Sequence, residues 1–198
     1  MRKKTILTAL VLVLGIGTVA AQGTYAVDTV HSNVVFKVRH LVSKVSGEFT
    51  EFEGAIVADF GNLDASSVEF EIQTGSIDTR NKNRDSHLRS ADFFDTEQFP
   101  EITFKSKKIT KVDGNTYAVS GILNMRGVGK EITLMVEFLG EMTAMGGTRA
   151  GYELTTTLNR KDYGVAWNRE LEAGVFVLGD EVEVTINLET VKQEAARP

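Results

Sequence analysis

A chain of 198 residues with 42% hydrophobic and 25% charged side chains has the balance of one folded globular unit, which excludes intrinsic disorder. Its net charge of −5 gives no general attraction to nucleic acid or to anionic lipid head groups. With no cysteine, disulfides, thiolate catalysis, zinc–cysteine sites and iron–sulfur clusters are excluded as well.

The chain opens on a basic stretch, Met1-Arg2-Lys3-Lys4, followed by an uncharged run from Ile6 to Val19 and the small residues Ala20 and Ala21. This is the pattern of a secretory signal peptide over residues 1–21, cleaved after Ala21. The run is short for a bilayer span, which needs ~20 apolar residues, and Gly15 and Gly17 interrupt it. The expectation is an exported single domain over residues 22–198, soluble in the periplasm or outside the cell, with no transmembrane anchor after processing.

Beyond Gln22 the apolar residues recur at every second position. Val34, Phe36 and Val38 alternate with Lys37 and Arg39, and Val68, Phe70 and Ile72 with Glu69 and Glu71. The rows Ile132, Leu134, Val136, Phe138 and Tyr152, Leu154, Thr156, Leu158 repeat the device, as do Val182, Val184, Ile186 and Leu188. A period of two places one face of a strand in a core and the other in water. Turn residues separate the runs at Gly61-Asn62, Asp113-Gly114, Arg126-Gly127 and Gly146-Gly147. Roughly eight strands are predicted, near 25–40, 43–52, 53–60, 66–74, 102–112, 116–125, 130–142 and 148–160, with a last strand returning at 175–191. The 43–60 stretch reads equally as one long bent strand. Residues 81–92 lack the alternation and suit a short helix, and Trp167 falls in a second irregular stretch. With too few helices to cover an open sheet, the strands must close as a barrel or pack as a sandwich. An eight-stranded barrel has room for packed side chains or one small ligand, and alternation alone does not choose between them.

The sequence offers little for catalysis. His31, His40 and His87 are the three histidines, and none has metal-ligand spacing to another. Asp85-Ser86-His87 holds the residue types of a nucleophilic triad, but neighbours on a helix do not face one another. Arg126-Gly127-Val128-Gly129-Lys130 lacks the length and the hydroxyl residue of a phosphate loop. Hence no catalytic residue, metal or cofactor is expected. Phe93, Phe94 and Phe99, gathered before Pro100, read either as a plug of core aromatics or as the lid of an apolar pocket.

Several motifs, in order, resemble the YceI-like family: His31-Ser32 followed by Val34, Phe36, Val38 and His40; Gly47-x-Phe49 and Phe52-x-Gly54; Asn83-x-Asp85-x-His87-Leu88 with Asp92-Phe93-Phe94-Asp95; Gly121-x-Leu123; and Asp162-Tyr163-Gly164-Val165 with Trp167. The resemblance covers the chain beyond residue 22. It implies an all-β, lipocalin-like antiparallel barrel of eight strands, exported to the periplasm, with a tunnel for an isoprenoid quinone, a polyprenyl pyrophosphate or a similar long lipid. On that reading Phe36, Val38, Phe70, Ile72, Phe104, Leu123, Leu134, Val136, Leu154 and Leu158 are candidates for the lining. Phe93 and Phe94, as part of an entry or lid, and Trp167 are further ligand-binding candidates, and His40, Arg84 and His87 are candidates for meeting a polar head group. Alternatives are a ligand-free interaction or stress protein with a packed barrel, and a hydrolase acting on an amphiphile. Apolar rims are compatible with a homodimer, though no residue specifies one.

Overall fold

The computed structural model describes residues 22–171, 174 and 176–194, so the expected signal peptide at 1–21 lies outside the described residues. In chain order come β1 (Gly23–Val27), β2 (Asn33–His40), β3 (Ser43–Phe49), β4 (Phe52–Ala58), β5 (Ser67–Gln73), β6 (Ile77–Asp78), α1 (Lys82–Arg89), β7 (Glu101–Asp113), β8 (Thr116–Met125), β9 (Val128–Ala144), β10 (Gly147–Asn159) and β11 (Leu178–Lys192). Neighbouring strands are antiparallel. The sheet closes because β11 pairs with β10 along one edge and with both β2 and β1 along the other.

Two pairs of segments act as single bent strands. β1 and β2 run along the same edge of β11, separated at residues 28–32, while β3 and β4 are separated only at Thr50 and Glu51. Counted this way, and leaving aside the two-residue β6 that pairs only with β3, the barrel has eight strands. The predicted strand over 25–40 is therefore interrupted, and the 43–60 stretch is the long bent strand. The first interruption has a local cause. The Asp28 carboxylate accepts from Val30 N–H at 3.0 Å and lies 3.0 Å from His31 Nδ1, a side-chain turn that competes with the ladder. Arg149 then binds both Asp28 and Glu189, at 3.0 and 2.6 Å, tying the bend to β11.

α1 lies across one end of the barrel. Asn81 caps it by accepting from Arg84 N–H at 3.1 Å. Buried Asp85 accepts from the N–H and the hydroxyl of Thr79, and Arg89 donates to the carbonyls of Gly75 and Ile77, both at 2.7 Å. These bonds hold the helix to β6 and the turn before it. The helix ends at Arg89, shorter than the predicted 81–92, because Ser90 turns back to His87 O.

The other end carries a cluster of aromatic rings. Phe60 packs against Phe138 with centroids 4.8 Å apart and against Tyr117 at 6.0 Å, and Phe138 meets Tyr152 at 5.5 Å. Beside these rings the Tyr25 hydroxyl donates to Glu141. Burial, followed by the hydrogen bond and the negative charge of Glu141, pushes the Tyr25 phenol up to about 12. An acid whose folded-state pKa is raised stabilises the fold fully below its unfolded value near 10, and that contribution is lost as pH rises through about 12. Phenolate absorbance should therefore show Tyr25 ionising late, together with falling stability in that alkaline window, and Tyr25→Phe should make the fall shallower.

Candidate functional site

The inward rows of β9, β10 and β11 behave unlike core residues. Ile132, Leu134, Val136, Leu154, Leu158, Val184, Ile186 and Leu188 point into the barrel yet stay only part-buried. On the facing wall Ile72, Ile102, Phe104, Val119 and Leu123 are buried. Residues of both walls border a hollow: a deep cavity of about 190 Å³ runs toward the aromatic rings. A second cavity, of about 360 Å³, lies under α1 at the mouth. Phe36, Phe49, Ile102, Met125, Leu158 and Val184 border both, so the two chambers meet at one collar.

Glycines keep the collar and the deep chamber open. A Cβ on Gly47 would lie 2.5 Å from Phe36 Cζ, across the β2–β3 pairing of those two residues. A Cβ on Gly54 would lie 2.5 Å from Phe70 Cδ2, its partner between β4 and β5. At Gly121 it would meet Phe104 Cζ at 2.7 Å and the Lys105 carbonyl at 2.4 Å. Each phenylalanine thus lies over the bare backbone of a neighbouring strand, and its bulk is absorbed at the wall.

The mouth chamber carries the polar groups. Arg84, from α1, donates to Thr79 Oγ1 at 2.7 Å and to Thr79 O at 2.8 Å. His87 Nε2 lies 2.9 Å from Asp92 Oδ2, and its ring meets Phe93 and Trp167 edge-on, each with centroids 5.0 Å apart. The His40 imidazole has no hydrogen bond among the described residues. Beneath them Arg160 is buried, donating to the carbonyls of Gly179 at 2.9 Å, Val165 at 2.7 Å and Trp167 at 2.8 Å. Burial lowers the pKa of its guanidinium, and Asp180 opposes the shift. Arg160 thereby fixes the loop that carries Val165 and Trp167 into the chamber wall.

Of the candidate lining, rim and head-group residues, each borders one chamber or the other, whereas Phe99 of the aromatic group borders neither and packs against Gly127. Phe70, Ile72, Phe104, Leu123, Leu134, Val136 and Leu154 line the deep one. Val38, His40, Arg84, His87, Phe93, Phe94 and Trp167 line the mouth, and Phe36 and Leu158 stand at the collar. The structure also places Phe49, Arg160, Tyr163, Val165, Val177 and Leu178 in these walls, and the sequence reading did not select them. The run Arg160–Val165 lacks periodicity, so only its motif could have pointed to it. The triad-like residues are not assembled: Asp85 serves Thr79, and His87 turns to Asp92. His31 lies outside the chambers with Asp28 and Glu189, where three ligand-type atoms come within 4.8 Å of one another, but the Arg149 guanidinium already fills the cationic position.

Residues 25–190 match the YceI-like domain. The chain belongs to the YceI-like family. A UPF0312 protein of Staphylococcus aureus strain N315 is 37% identical over 168 residues, spanning 83% of this chain and 95% of that protein. The crystal structure of a Campylobacter jejuni YceI protein shares 28% identity and a TM-score of 0.68, covering 80% of this chain and 91% of that one. A Saccharophagus degradans domain described as polyisoprenoid binding and implicated in plant cell wall breakdown superposes with a TM-score of 0.65 at 16% identity, over 85% and 98% of the two chains, a likeness of fold. No helix among the described residues of this YceI-like chain is long and apolar enough to cross a membrane.

The glycine seats make a direct prediction. Gly54→Ala should displace the Phe70 ring toward the deep chamber and destabilise the barrel by about 1–3 kcal/mol, the usual cost of overpacking. Denaturant unfolding checks the stability, and uptake of an apolar fluorophore, expected to fall, checks the lumen.

Proposed function

We propose that this YceI-like barrel binds a long apolar chain in order to store or carry it in the periplasm, and that it is not an enzyme. The ligand is an isoprenoid quinone, a polyprenyl pyrophosphate or a similar lipid, its tail running through the collar into the deep chamber and its head group at the mouth. The observation that carries this reading is the hollow apolar lumen, whose inward residues on β9, β10 and β11 remain part-exposed inside a closed barrel. A side-chain-packed barrel would have buried them. Apolar area of that kind stabilises a bound tail by roughly 25 cal/mol per Å², less the cost of ordering it. Directional contacts are needed only at the head group, where His40 and His87 with Arg84 stand beside the opening. The carboxylates and guanidinium near the mouth are engaged in structural bonds, which supports binding over turnover. The hydrophobic leader read at residues 1–21 supports export.

Organic extraction of the purified mature protein, followed by mass spectrometry, should return a stoichiometric polyprenyl species. Leu134→Trp and Leu154→Trp place indoles in the deep chamber and should cut occupancy at least about tenfold while circular dichroism stays unchanged, as steric exclusion from a preformed pocket requires. Full occupancy in both folded variants would overturn the assignment of the tail to this chamber.

A further inference from the structure

Two hairpin tips beside the mouth depart from ordinary turn chemistry. β2 and β3 are joined by Leu41 and Val42 alone, with His40 paired to Ser43. Leu41 has φ at 50°, in the left-handed region, where two-residue hairpins favour Asn and Gly and a branched aliphatic residue is uncommon. Yet Leu41 is 40% exposed and Val42 94%. A second pair of exposed apolar residues lies next to it. Val177 N–H donates to Arg169 O at 3.0 Å and Glu170 pairs with Phe176, leaving Leu171 40% and Phe176 53% exposed. Leu41 N–H donates to Val177 O at 2.9 Å, which locks the tips side by side, and His40, Val177 and Leu178 are in the wall of the mouth chamber. Exposed apolar side chains from two separate segments therefore crown the opening of an apolar tunnel. The turn would close more easily without them, and clusters of this kind mark interaction surfaces.

We propose that the paired tips dock the barrel onto a lipid bilayer, their apolar side chains entering the boundary between head groups and acyl chains. The inference rests on the lipid-binding reading for its purpose: with the mouth against the membrane, an apolar chain moves between bilayer and tunnel without crossing water. The dimensions favour a lipid surface over a protein partner. Among the described residues, four exposed apolar side chains fall well short of the roughly 800 Å² per partner of a stable protein interface, whereas interfacial anchoring needs only apolar groups reaching ~5–10 Å into the boundary. The charges around the tips fit as well. Arg39 and Arg169 adjoin them, and Lys161 Nζ stands 5.8 Å from the Phe176 ring centroid. Glu170 and Asp180 lie among these cations, Asp180 bonded to Lys161 at 2.9 Å. Such mixed signs match zwitterionic head groups.

The mature chain is tested by flotation with vesicles of phosphatidylcholine and phosphatidylethanolamine. The double variant Leu41→Asn/Val42→Gly supplies the residues the turn prefers, so it should melt at the same temperature or higher, yet partition onto vesicles roughly tenfold less, the order expected when exposed aliphatic groups no longer leave water. Phe176→Ser should weaken partitioning from the other tip. Uptake of a polyprenyl lipid from vesicles should slow in both variants, while uptake from detergent micelles is unchanged. Docking is overturned if the unaltered chain does not float with vesicles, or if the double variant floats as well as the unaltered chain does. Absence of uptake from micelles by every form, with the flotation difference intact, would overturn the lipid-binding reading and leave docking supported.

Discussion

Three phenylalanine rings lie over three glycines on neighbouring strands, and the hollow in the barrel depends on that contact. Phe36 over Gly47, Phe70 over Gly54 and Phe104 over Gly121 each place a large side chain where a Cβ would have stood. The rings still leave water, as stability requires, but they do so against the wall. A closed barrel of eight strands normally has just enough interior for its own side chains. Moving aromatic bulk onto bare backbone frees lumen without adding strands.

The polar groups solve a related problem at the mouth. The irregular segments around the mouth chamber have no sheet partner, so they must be held by other means. Arg160 binds three carbonyls from below, Arg84 binds Thr79 twice, and Asp85 accepts from the same threonine. Buried backbone acceptors in irregular segments need such donors because they have no ladder partner. Most of the charge near the opening is thereby committed to architecture, with His40 left facing the chamber.

Much of this was readable in the sequence because period-two alternation is a strong signal over long strands. The rows Leu134–Val136 and Val182–Leu188 pointed inward as alternation requires, and the candidates chosen from such rows all reached a chamber wall. What alternation could not show was whether the interior was filled. That depended on Gly47, Gly54 and Gly121, which carry no periodicity of their own and matter only through partners fixed by register. The break at residues 28–32 was missed for a similar reason: Asp28 bends the strand locally, but its anchor is Arg149, far away in the chain. The walls contributed by Arg160 and Tyr163 come from a short 3₁₀ turn, with Val165 just beyond its Gly164 cap, where neither helical nor strand spacing applies.

The rings of Phe60, Tyr117, Phe138 and Tyr152 gather at the end of the lumen away from α1. Under the proposed function they are the stop against which a bound tail rests. Each further isoprene unit would then leave the far terminus where it is and push the head group outward past the collar, so chain length would become the position of a polar group relative to the rim. Homologous tails of different length would then present themselves differently to whatever meets the mouth, even with every wall contact alike.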